Sequence, residues 1–86
     1  MKISFKPVFV RQFRKLEPAL QEEVEEKIEL LKNEENHQRL KVHKLHGRLA
    51  NWYSFSVNYK TRIVFSYLSK QEIVLLAIGE HGVYDK

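Results

Sequence analysis

The fold is decided by residues 52–78, WYSFSVNYKTRIVFSYLSKQEIVLLAI. Within them, three segments have the period-two pattern of β-strands: Trp52–Val57, Arg62–Tyr67 and Ile73–Ile78. The connections between these segments are short enough for hairpin loops, so we expect consecutive strands to pair antiparallel in a meander. The third segment is apolar on both faces, which predicts an interior position in the sheet.

Alternation along these strands separates two faces. One face is aromatic and aliphatic, and we expect helices to cover it: Tyr53, Phe55, Val57, Ile63, Phe65 and Tyr67. The other face is mostly small or polar, apart from its tryptophan: Trp52, Ser54, Ser56, Arg62, Val64 and Ser66. This second face is predicted to be the floor of a shallow cleft, with Arg62 as the only charge inside these three predicted strands.

The N-terminal half predicts one strand and two helices. Lys2–Lys6 alternates like a strand, and Pro7 suits the first position of a helix. Pro18 ends that helix near Glu17 and begins a second one, whose apolar stripe is Leu20, Val24, Ile28 and Leu31. We therefore predict an α+β fold of order β-α-α-β-β-β, with the helix hairpin packed on one face of a small, mostly antiparallel four-stranded sheet.

Charge is distributed unevenly along the chain. Eight of the 11 acidic residues lie between Glu17 and Glu35, whereas none lies between Asn36 and Gln71. That acid-free stretch carries only cationic or titratable charge: Arg39, Lys41, Lys44, Arg48, Lys60, Arg62, Lys70, His37, His43 and His46. It predicts a surface for polyanions, although ordinary solvated surface charge is the alternative.

Length and composition exclude several classes. A chain of 86 residues has room for one domain, which we expect to span residues 1–86. No apolar run approaches the roughly 20 residues of a membrane span, and the N-terminus lacks the core of a signal peptide, so a cytoplasmic protein is expected. The absence of cysteine removes disulfide and thiolate chemistry. His43 and His46 lack a third ligand, so no metal site is predicted.

Three motifs in order carry a resemblance to a known family. They are HKLHG at 43–47, YKTRIVF at 59–65 and IGEHGVY at 78–84. With the predicted order of strands and helices, the chain resembles the RelE/ParE toxin superfamily over nearly its whole length, and most closely the RelE-type mRNA interferases of type II toxin-antitoxin systems. The resemblance implies a RelE-like fold and a toxin held inactive by a co-expressed antitoxin, whose toxin-binding segment we expect to be acidic.

The implied activity is cleavage of mRNA, in many members only on the ribosome, without a metal or other cofactor. The ribose 2′-hydroxyl attacks the adjacent phosphodiester, which requires a base, positive charge near the phosphate and an acid for the leaving 5′-oxygen. On this pattern His81 is the first candidate acid or base, because an imidazole titrates near about 6.5. Arg62 would stabilise the phosphorane, His43 would be the second proton carrier, and Tyr84 would stack on a base.

Further basic residues are candidates for binding RNA or the ribosome: Lys44, His46, Arg48 and Lys60. Such contacts to phosphate are sensitive to salt and carry little base specificity. The alternatives are exposed loop charge for these residues, a solvent-exposed histidine for His81, and an aromatic anchor of the C-terminal tail for Tyr84.

The sequence also departs from the family pattern. Ser54 and Ser56 stand where some ribosome-dependent relatives carry lysines, and Thr61 stands near a position that is acidic or histidine in others. Two other functions therefore stay open. One is a ParE-like inhibitor that acts on DNA gyrase by binding alone, and the other is a catalytically degenerate member of the fold that binds RNA or a protein partner.

Overall fold

The computed structural model describes residues 1–45 and 51–80 of the 86-residue chain. Its secondary structure follows the chain in the predicted order. The elements are β1 (Lys2–Phe5), α1 (Pro7–Arg14), α2 (Pro18–Leu31), a turn of 3₁₀ helix (Glu34–Asn36), β2 (His43–Lys44), β3 (Trp52–Ser56), β4 (Thr61–Ser69) and β5 (Glu72–Glu80).

The strands form one sheet in the order β1-β5-β4-β3-β2. Neighbouring strands are antiparallel, except that β1 runs parallel to β5. The predicted α+β class, the mostly antiparallel sheet and the interior position of the last strand are confirmed. The predicted number of strands was one too small, because β2 has two residues, His43 and Lys44, and so short a segment has no measurable period.

Both helices begin at a proline, as predicted. Pro7 and Pro18 occupy the first turn of α1 and α2, where a missing N–H breaks no intrahelical hydrogen bond. The helix α1 ends at Arg14, a few residues before Pro18, so the break between the helices is shifted slightly towards the N-terminus from the predicted boundary.

The core lies between the helices and one face of the sheet. Phe55, Ile63 and Phe65 are completely buried there, in agreement with the predicted helix-covered face. The helices add Phe9 from α1 and the stripe Val24, Ile28 and Leu31 from α2. One side chain also links the layers, because the Gln12 side-chain oxygen accepts a hydrogen bond from the backbone N–H of Ile78 at 2.9 Å.

The connection from α2 to β2 is held by hydrogen bonds to the end of α2. Asn36 donates its side-chain amide to the Leu30 carbonyl at 2.9 Å, and the His37 Nε2 donates to the Leu31 carbonyl at 2.8 Å. These bonds satisfy carbonyls that have no partner within the helix. Leu40 then enters the core, and the chain turns into β2 through Lys41, whose φ of 59° is in the left-handed region.

Within the described residues, no helix combines the length and the apolarity needed to cross a lipid bilayer.

Candidate nucleic-acid interface

The strand register decides which polar residues share the second face of the sheet. Ser56 of β3 lies opposite Arg62 of β4, and Arg62 lies opposite Gly79 of β5. Two residues before Ser56 in β3, Ser54 lies opposite His43 of β2. Residues directly opposite each other point to the same face. His43 and Arg62 therefore share this face, with their Cα atoms about 12 Å apart by the usual spacing and rise of strands.

The centre of the second face is buried, and the prediction of an open cleft floor is wrong there. Ser54 is 0% exposed and Val64 is 1% exposed, and Leu45 is also buried. Alternation identifies the face to which a side chain points but carries no information about what covers that face. Among the described residues, the Ser54 hydroxyl has no hydrogen-bond partner. The accessible groups lie at the rim, where Arg62 is half-buried and His43 is exposed.

Arg62 lies beside a depression at the end of the sheet where β3 and β4 are joined. The depression is lined by Tyr59, Lys60, Arg62 and Glu80. Gly79, opposite Arg62, has no side chain, so a ligand can approach the guanidinium closely from that strand. In the described part of the chain the only ion pair joins Lys32 to Glu29, which leaves the Arg62 guanidinium without a carboxylate within 4.0 Å. A planar guanidinium can form two parallel hydrogen bonds to a phosphate.

His43 is positioned to accept a proton. Its Nδ1 lies 3.1 Å from the Lys41 carbonyl oxygen, which can only accept, so this bond requires the proton on Nδ1. In the neutral ring Nε2 then carries the lone pair. Residues 1–45 and 51–80 contain no group of three or more His, Asp or Glu side chains arranged to hold a metal ion.

The remaining predicted residues divide into three groups. Lys60 lies in the loop between β3 and β4, beside Arg62. Lys44 is exposed, but its cross-strand partner is Tyr53, so Lys44 points to the opposite face from Arg62 and His43. The predictions for His46, Arg48, His81 and Tyr84 fall outside the described residues.

The structure also gathers basic residues that the sequence analysis did not connect. Lys27 of α2 and the connector residues Arg39 and Lys41 line one depression together with Tyr59. The acid-free stretch already contained Arg39 and Lys41, but about a dozen residues separate them from Lys27 and about twenty from Tyr59. The pairing of β2 with β3 and the packing of Leu40 in the core bring the connector to the same end of the sheet as Tyr59.

Tyr67 lies towards the opposite end of β4. Burial raises the pKa of Tyr67 above its ordinary value, and nearby Tyr53 and Glu34 raise that pKa further. The raised pKa keeps the phenol in its protonated form up to a higher pH than for an ordinary tyrosine.

The helix side carries an apolar groove between β1, α1 and α2. Its floor is aliphatic and aromatic, and acidic residues and one lysine form part of its rim: Ile3, Phe5, Phe9, Val10, Phe13, Ile28, Glu25, Glu29 and Lys32. The Phe5 side chain remains 49% exposed at this groove. The molecule thus presents a basic end of the sheet and a separate apolar groove.

Comparison with known proteins agrees with this architecture. The family model described as RelE-like toxin of type II toxin-antitoxin system HigB matches residues 9–81. The chain belongs to this family. It is a RelE-like toxin of a type II toxin-antitoxin system, as the three sequence motifs indicated.

Solved structures resemble this RelE-like toxin over nearly the whole chain. YafQ from E. coli strain BL21(DE3) aligns with a TM-score of 0.80 and 11% identity, covering 99% of this chain and 98% of YafQ. A YoeB-YefM complex from Staphylococcus aureus gives a TM-score of 0.75 and 18% identity, covering 94% of this chain and 97% of the matched chain. The archaeal RelE-RelB complex from Pyrococcus horikoshii OT3 gives a TM-score of 0.73 and 19% identity, covering 95% of this chain and 96% of the matched chain. At such identities the similarity shows a shared fold. No curated protein sequence matches the chain.

Proposed function

We propose that this RelE-like toxin is a metal-independent endoribonuclease that cleaves mRNA on the ribosome. The observation that carries the proposal is Arg62, a half-buried guanidinium beside Gly79 that has no carboxylate partner among the described residues. His43, on the same face of the sheet, supplies a group that can accept a proton.

In the proposed reaction, the His43 Nε2 removes the proton from a ribose 2′-hydroxyl. The 2′-oxygen forms a bond to the adjacent phosphorus while the bond from phosphorus to the 5′-oxygen breaks, which leaves a 2′,3′-cyclic phosphate. Arg62 stabilises the charge that develops on the phosphorane oxygens. His81 gives a proton to the leaving 5′-oxygen, and Tyr84 stacks on a neighbouring base. Both follow Glu80, whose partner across the sheet is Thr61, next to Arg62.

The proposed partner is an antitoxin whose acidic segment covers the acid-free surface. Opposite charges at this surface favour association and correct orientation. The apolar groove between β1, α1 and α2 offers a second contact, suited to the apolar side of a helix. We place the protein, as a single domain over residues 1–86, in the cytoplasm with its mRNA substrate.

A binding function without catalysis is the second candidate, and Ser54 is the observation that favours it. Some ribosome-dependent relatives carry lysines where this chain has Ser54 and Ser56, and here the Ser54 side chain is completely buried. A group with no exposed surface cannot contact RNA. In this second candidate function the chain acts by binding alone, as a ParE-like inhibitor of DNA gyrase or as a catalytically degenerate member of the fold that binds RNA or a protein.

Inducing the protein alone and mapping transcript ends by primer extension tests the proposal. We expect cuts within translated codons, and we expect Arg62→Ala to reduce cleavage about 10²–10³-fold, the usual cost of removing one group that stabilises a transition state. His81→Ala should reduce cleavage about 10²–10⁴-fold, as for loss of a general acid or base.

Lys15→Ala is the matched control, because it removes one positive charge from an exposed residue at the C-terminal end of α1, outside the acid-free stretch, and its cleavage should equal that of the wild type. If Arg62→Ala cleaves as well as the wild type, the assigned site is wrong. Intact mRNA together with cleaved DNA would support inhibition of gyrase, and intact mRNA with intact DNA would support the degenerate binding protein.

A further inference from the structure

Tyr59 stands between two basic depressions at the end of the sheet. On one side Tyr59, Lys60, Arg62 and Glu80 line the depression of the proposed catalytic site. On the other side Tyr59 lines a depression with Arg39 and Lys41. We propose that Tyr59, Arg39 and Lys41 form a second subsite for single-stranded RNA, in which the ring stacks on an unpaired base and the cations bind adjacent phosphates. The RNA substrate rests on the proposed function.

The Tyr59 ring is available for stacking. Its residue is 95% exposed, the highest value among the exposed large hydrophobic residues of the described chain. The loop that carries it is nevertheless fixed, because the Asn58 side-chain oxygen accepts hydrogen bonds from the N–H groups of Lys60 and Thr61, both at 2.8 Å. An aromatic ring on such a support offers a π-face to any base, whatever its identity.

The backbone that carries Arg39 and Lys41 is anchored, although both residues are exposed. Leu40, between them, is buried in the core, and its N–H donates to the Asn36 carbonyl at 2.9 Å. Their two side chains therefore project from an anchored turn. The depression that they line also includes Lys27 and contains no acidic residue among the described residues that line it, so its potential is positive.

The backbone of Lys41 gives independent support. Its φ of 59° is the only positive value of a non-glycine residue in the described part of the chain. Glycine would adopt this conformation without the steric cost that a lysine bears. Costly backbone conformations cluster at functional sites, and the group that glycine would lack here is the ammonium.

The subsite is continuous with the proposed catalytic site. Ser56 lines the depression of Arg39 and Lys41, and its cross-strand partner is Arg62. Partners in adjacent antiparallel strands have Cα atoms about 4.5–5.5 Å apart. A single RNA strand lying over Tyr59 therefore reaches both depressions. An acidic protein segment would pair with the cations, but it would have no need of a flat, fully exposed ring between them.

The test measures binding separately from cleavage. A fluorescent single-stranded RNA with 2′-O-methyl groups cannot be cut by 2′-hydroxyl attack, and its affinity for the purified toxin is read by anisotropy. We expect Tyr59→Ala to weaken binding about 5- to 150-fold, the range for loss of one stacked base. Tyr59→Phe, which keeps the ring, should bind within about twofold of the wild type, whereas a duplex of the same sequence should not respond to Tyr59→Ala.

Lys41→Gly tests the contribution of the Lys41 charge to binding separately from its effect on stability. It should weaken binding and lower the slope of log affinity against log salt by about 0.7, the value for one phosphate contact on a single strand. It should also raise the melting temperature, since glycine relieves the backbone. Lys15→Ala, with the same change of charge at the C-terminal end of α1 and outside the acid-free stretch, should leave affinity and slope unchanged.

Two results would overturn the inference: a Tyr59→Ala variant that binds the RNA as the wild type does, or a wild-type toxin that does not bind the RNA. Stacking and salt effects as described, in a toxin that leaves natural mRNA intact, would support the subsite and disprove the proposed nuclease.

Discussion

The two faces of the sheet are built from alternate residues of the same strands, yet they differ in burial and in proposed role. On the helix-covered face, Phe55, Ile63 and Phe65 are completely buried in one apolar cluster. On the second face the centre is buried, but Arg62 and His43 remain accessible at the rim. Arg62 and Ile63 are adjacent in the sequence and point in opposite directions. Neighbouring residues thus contribute separately to stability and to the proposed chemistry. A substitution can therefore change one of these properties without changing the other.

The strongest test of this division compares these two neighbours. Ile63→Ala should lower the free energy of unfolding by about 2–5 kcal/mol, because it removes buried methyl groups and leaves a cavity. Arg62→Ala should change that free energy by no more than about 0.5 kcal/mol, as expected for a substitution outside the core. Urea denaturation measures both. Equal destabilisation by the two substitutions would mean that the second face belongs to the core.

A second test addresses how the helix layer is attached to the sheet. Gln12→Ala removes the acceptor of the Ile78 N–H and should cost about 1–3 kcal/mol, the usual penalty for a buried donor left without a partner. Gln12→Glu retains an acceptor oxygen and should cost less. Hydrogen exchange at the Ile78 amide should be faster in the alanine variant. Unchanged exchange there would show that the link contributes nothing to the helix-covered face.

Much of the sheet could be predicted from the sequence because long strands carry a clear period. The segments Arg62–Tyr67 and Ile73–Ile78 reappear in the structure within β4 and β5, each extended at both ends. The two residues of β2 are too few for a period, so that strand was missed. The burial of Ser54 was missed for another reason, because alternation assigns a face without showing what covers it.

The candidate site was harder to predict because it is assembled from distant segments. The acid-free stretch indicated the right kind of surface, and the register joins Arg62 to the face that carries His43. Lys27 could not be connected to Tyr59, since nothing in the local pattern of an amphipathic helix specifies its neighbours in space. The same limit applies to Lys44. Because β2 was not predicted, the face of the sheet to which Lys44 points could not be predicted either.

The smallest predicted effect concerns the centre of the second face. Ser54→Ala should raise the free energy of unfolding by about 1 kcal/mol, because it removes a buried hydroxyl that has no partner among the described residues. Ser56→Ala, at a partly exposed position two residues along β3, should change it by less than about 0.5 kcal/mol. Thermal unfolding of the pair measures the difference. Destabilisation by Ser54→Ala would mean that the hydroxyl is satisfied, and the second face would then hold a polar centre as well as a polar rim. Stabilisation would mean that both faces are packed at their centres, so that the proposed chemistry depends only on the rim that carries Arg62 and His43.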